Sequence, residues 1–109
     1  MFEAIALIIV GALLIVSGVF NMKGNLKIIH SYHYKRVKEE DKLAFGKLVG
    51  IGSMIIGVAL IIAGILMAIK FFTAVLVLET IAEAVSVVGL VLGITLCFYA
   101  MFKYNKGIF

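Results

Sequence analysis

Glu79 and Glu83 stand four residues apart, a spacing that puts both carboxylates on one side of a helix, with Thr80 and Ser86 close to the same face. Acids held inside a bilayer are costly and serve proton relays or cation pathways, whereas the same pair at the membrane surface is a helix start and a negative patch. Thr80 and Glu83 also have the Ser/Thr-x-x-Glu spacing of a capping box, in which hydroxyl and carboxylate each satisfy a free backbone donor. This predicts a helix beginning near residue 80, with the glutamates complementing its dipole at the interface. A helix begun instead at Phe71 and run to Phe102 would reach about 48 Å, more than a bilayer needs.

A second group is His30-Ser-Tyr-His33, two imidazoles at a spacing that can chelate on a helix, followed by Glu39, Glu40 and Asp41 as third-ligand candidates. Neither a third histidine nor a nearby cysteine completes the set. An ordinary polar and aromatic interface is therefore the expectation: His30, Tyr32, His33, Tyr34 and Arg36 are candidate partner-loop residues, with no metal and no cofactor. No nucleophile with a base and orienter, no phosphate-cradling glycine loop and no paired mid-membrane carboxylate is present, so no enzymatic activity is expected. Cys97, the single cysteine, lies in an apolar run and reads as a small packing residue.

The elements that position these residues follow from three apolar runs, 4–22, 48–69 and 84–102, none of which contains a charged residue. About 20 apolar residues cross a hydrocarbon core of about 30 Å. The chain is 64% hydrophobic, only 15% charged, and has a mean hydropathy of +1.23, which leaves too little polar surface to clothe a water-soluble globule of 109 residues. An all-α integral membrane three-helix bundle is predicted, with helices over about 3–23, 38–70 and 80–103. Between the first two lies a basic loop, 23–47. The acidic start Met1-Phe2-Glu3 and the length of the first run predict a retained helix rather than a cleaved signal.

Charge sets the expected orientation. Lys23, Lys27, Lys35, Arg36, Lys38, Lys42 and Lys47 in the first loop, with Lys103 and Lys106 in the tail, oppose a lone Lys70 on the other side. Short basic loops stay cytoplasmic, which puts the N-terminus outside and the C-terminus inside. The +4 net charge is then a topology signal with an attraction to anionic lipid, and not a nucleic-acid signal. The stretch 71–78 exceeds a minimal span and reads as an interfacial segment, a short re-entrant hairpin, or an extension of helix two or three.

Each run also carries small residues seven apart: Ala4, Gly11 and Gly18; Gly50, Gly57 and Gly64; Ser86, Gly93 and Ala100. Gly46 with Gly50, Ser53 with Gly57 and Gly89 with Gly93 add the four-residue spacing. In lipid, small side chains let backbones approach and gain dispersion. Such rows serve either packing within the bundle or association with a membrane-protein partner or a second copy.

The loop Tyr32–Gly50 resembles that of a family of small, uncharacterised three-helix membrane proteins of Gram-positive bacteria. Tyr32, His33, Val37, Glu39, Asp41, Phe45, Lys47 and Gly50 carry the likeness, although tyrosine and histidine replace the family's usual tryptophan or asparagine in the turn. The resemblance implies a three-helix bacterial membrane protein with no active site to carry over. The expected function is a non-enzymatic small integral membrane protein of the cell membrane, an accessory, regulatory or immunity-type interaction protein. The alternative is an oligomeric transporter or channel subunit using Glu79 and Glu83.

Overall fold

A computed structural model describes residues 1–24, 34 and 36–107. Three helices account for most of it: α1 (Phe2–Met22), α2 (Lys42–Thr73) and α3 (Val77–Tyr104), with a 3-10 turn, Glu39–Asp41, leading into α2. All three, counting that turn with α2, are long and apolar enough to cross a membrane. At 1.5 Å per residue they measure about 32, 48 and 42 Å, so each matches or exceeds a hydrocarbon core of about 30 Å, α2 and α3 with turns to spare.

The chain reverses between α2 and α3 in three residues. Ala74 takes the left-handed conformation, φ 57°, and its N–H donates to the Lys70 carbonyl at 2.7 Å, closing the end of α2. The apolar stretch 71–78 is thus divided between the last turn of α2, the reversal and the first turn of α3. The helix start expected near residue 80 lies at Val77 instead, and Leu76, the N-cap, makes no side-chain hydrogen bond. Thr80 and Glu83 stand inside the helix, where three-residue spacing is simply the helical repeat. Helix two likewise continues past the expected end at residue 70, and the α-helix proper starts at Lys42 rather than 38.

α1 and α3 both pack on α2. The α1–α2 contact is backbone on backbone in three layers. A Cβ built on Gly11 would stand 2.6 Å from the Gly57 carbonyl oxygen, and one on Gly57 equally close to that of Gly11. Gly18 and Gly50 oppose each other in the same way, and Gly64 meets the Ala4 carbonyl. Facing α3, Gly52 opposes Gly93, Gly89 lies on Ala59, and the Cys97 thiol sits over Gly52 and donates to the Val49 carbonyl at 3.7 Å. Ser86 is half-buried on α3, and Ala100 is fully buried against Phe45 and Val49. The packing rows run antiparallel, and all nine glycines within the three helices are buried.

Candidate functional site

Polar chemistry collects at the two ends of the bundle. At the end formed by the start of α1 and the α2–α3 reversal, Lys70 Nζ donates to Glu79 Oε2 at 2.7 Å. α2 and α3 bring the pair together because Ala74 folds the chain back on itself. Both side chains are half-exposed, so the attraction is screened and contributes about 1 kcal/mol or less. Beside the pair lies a cleft of about 320 Å³ lined by Glu3 and Leu7 of α1, Met67 of α2, and Glu79, Glu83 and Ser86 of α3. The structure thus brings Glu79, Glu83 and Ser86 together, as their spacing implied, and adds Glu3 from the acidic start of the chain. Glu79 is paired with Lys70, whereas Glu3 and Glu83 are exposed and form no ion pair among the described residues.

The opposite end is basic and is built as a cap. Asn105, fully buried beyond the last turn of α3, accepts from the Arg36 backbone N–H at 2.7 Å through Oδ1 and donates to the Gly107 carbonyl at 3.0 Å through Nδ2. The Gly107 N–H returns to the Met101 carbonyl, a reversal that needs the left-handed Lys106, φ 59°. Underneath, Val37, Phe45, Val49 and Ala100 form a buried cluster packed by Tyr34, Leu48, Met101 and Tyr104. The exposed charged residues at this end include Arg36, Lys38, Glu39, Glu40, Lys103 and Lys106, with Glu39 accepting from Lys42 at 2.6 Å. Lys103 lies 5.6 Å from the Tyr99 ring centroid and 5.2 Å from that of Tyr104, within cation–π range.

No protein-family model, curated protein or solved structure matches this chain. Its chemistry is therefore read from geometry alone.

Of the five candidate partner-loop residues, Tyr34 and Arg36 belong to this cap, and His30, Tyr32 and His33 lie outside the described residues. Among the described residues no three histidine, cysteine or acidic side chains are placed to hold a metal ion. The sequence reading missed both asparagines. Asn21 is 2% exposed at the end of α1, and its Oδ1 has no hydrogen-bond partner among the described residues. The available signal was an amide within an otherwise apolar run, since buried polar groups are expensive in lipid.

Proposed function

We propose that this chain is a non-enzymatic, multi-pass cell-membrane protein, an accessory, regulatory or immunity-type subunit that meets a membrane-protein partner through its basic end. The N-terminus and the α2–α3 reversal lie outside, and the basic cap lies inside, following the excess of lysine and arginine. The observation that carries this reading is the mounting of the cap. Asn105 ties the α3 end to the backbone at Arg36 across 69 residues of sequence, over a buried floor made by Val37, Phe45 and Ala100. A surface held this way loses less conformational freedom on binding than a loose loop, which favours recognition. The likeness of Tyr32–Gly50 to small bacterial three-helix proteins is compatible with such a role.

The oligomeric transporter or channel is the second reading, and the cleft shared by Glu3, Glu79 and Glu83 favours it. Against it stands the use of every helical glycine inside the chain, which leaves no glycine face for self-assembly.

Photo-crosslinking side chains placed at Lys38, Lys106 and Leu13 in native membranes test the proposal. Adducts of one defined mass are expected from the two cap positions and none from Leu13, which faces outward on α1. Adducts with the mass of a second copy of this chain, or no adduct, would reject the interaction reading. A proteoliposome cation flux lost in Glu83→Gln would support the transporter.

A further inference from the structure

A groove of about 680 Å³ runs along the side of the bundle between α2 and α3. Ile51, Val58 and Ile62 of α2 and Val88 of α3 form its walls, Ala59 and Gly89 its floor, and Met22 of α1 closes one end. Every lining side chain is apolar. The floor is low because α2 and α3 meet there through a glycine and an alanine.

Charge at one end of the groove identifies the occupant. The groove runs past the bundle centre near Gly57, and its floor at Ala59 lies twelve helical steps, about 18 Å, from Lys47, close to the depth of one leaflet of hydrocarbon, about 15 Å. Lys47 is one turn before Ile51 on the same side of α2, and Lys23 directly follows Met22. Both lysines are exposed, and neither forms an ion pair among the described residues. The Met22 side chain lies over Gly50, so the two lysines flank the same end of the groove at similar depth.

We propose that this groove seats one anionic phospholipid of the leaflet at the basic end. One acyl chain lies on Ala59 and Gly89, and Lys47 and Lys23 hold the phosphate. A second copy in the same membrane orientation would set its own Lys23 and Lys47 at the same depth, like charge against like charge.

The chain contains no tryptophan, so a single introduced one reports its own surroundings. Val88→Trp places the probe in the groove, and Leu13→Trp on the outward face of α1 is the control. Each full-length variant is reconstituted in phosphatidylcholine vesicles carrying small fractions of phosphatidylglycerol or phosphatidylcholine with brominated acyl chains. At Val88, brominated phosphatidylglycerol should reach half-quenching at a mole fraction about fivefold or more below that of brominated phosphatidylcholine. At Leu13 the two lipids should quench alike. Adding Lys47→Gln should reduce the preference about fivefold, the equivalent of the roughly 1 kcal/mol carried by a lysine near an anionic surface.

Equal quenching by the two lipids at Val88, a preference unchanged by Lys47→Gln together with Lys23→Gln, or the same preference at Leu13 would each overturn the proposal. Shielding of Val88 from both lipids, with a crosslinked dimer, would assign the groove to a second copy and overturn it equally. Val58→Trp on the opposite wall repeats the measurement should Val88→Trp lose its helical circular dichroism.

Discussion

Leucine in place of Gly57 should drive α1 away from α2 at the centre of the bundle. A Cβ at position 57 would stand 2.6 Å from the Gly11 carbonyl oxygen, 2.8 Å from Ile15 Cγ1 and 3.1 Å from the Ile15 amide nitrogen, where ordinary contact begins at 3.4 Å. Two of these three atoms are helix backbone and cannot rotate aside. Relief requires α1 to retreat by roughly 1 Å, and because close-packed interiors transmit strain, the contacts of Gly18 with Gly50 and of Ala4 with Gly64 loosen with it. Overpacking of this kind costs about 1–3 kcal/mol, and alanine recovers up to about 1 kcal/mol through its better helix propensity.

Gly57→Ala should therefore lose about 0–2 kcal/mol, and Gly57→Leu about 3 kcal/mol or more. Reversible unfolding by sodium dodecyl sulfate from a mild detergent, followed by circular dichroism, measures both. Gly11→Ala and Gly57→Ala insert carbon into the same gap, so the double variant should lose about 1 kcal/mol less than the two singles together. A Gly57→Leu protein within about 0.5 kcal/mol of wild type would refute the backbone contact, as would strict additivity in the alanine cycle.

Ala74→Gly should stabilise the protein by about 0.5–1 kcal/mol in the same unfolding assay, because φ 57° is a strained conformation for alanine and a free one for glycine. Lys70→Gln and Glu79→Gln should each cost about 0.5–1 kcal/mol, and exchanging the two residues (Lys70→Glu with Glu79→Lys) should restore most of the loss in a double-mutant cycle. Asn105→Ala removes the acceptor of the Arg36 N–H and should cost about 1–2 kcal/mol; hydrogen exchange should accelerate at the Arg36 amide while the amides of central α2 keep their protection.

The spans and their packing rows were legible in the sequence because both obey short periods. Uncharged runs of about 20 residues have few other uses, and small residues at seven-residue intervals return to one helix face, as Gly11 and Gly18 do against Gly57 and Gly50. The reversal at Ala74 was not legible: alanine carries no turn signature, and its neighbours Val75 and Leu76 are as apolar as the helices they separate. The Thr80–Glu83 capping spacing misled because the interior of a helix has the same repeat. Contacts between elements were hidden for another reason. Glu3 shares a cleft with Glu83, and Arg36 bonds to Asn105, but nothing periodic links residues so distant in sequence.

The distribution of small residues also decides where this protein has surface to offer. Close approach of α1 to α2 and of α2 to α3 uses eight of the nine helical glycines, and the ninth, Gly46, is buried, so the outward faces are left with bulky side chains such as Ile9, Leu13 and Val16 on α1 and Val88, Val91 and Leu92 on α3. Branched and flexible apolar surface of this kind is solvated by lipid chains, and it resists the backbone approach that drives helix association in a membrane. On the proposed reading, protein recognition falls to the ends, where the two solutions differ in kind. The acidic end is held by a three-residue turn and one half-exposed ion pair. The basic end is held by a buried asparagine, a returning tail and an apolar floor. Exposed lysine and arginine gathered at one end suit both the proposed partner contact and the proposed phospholipid seat, and Lys23 and Lys47 stand at the groove end nearest that cap.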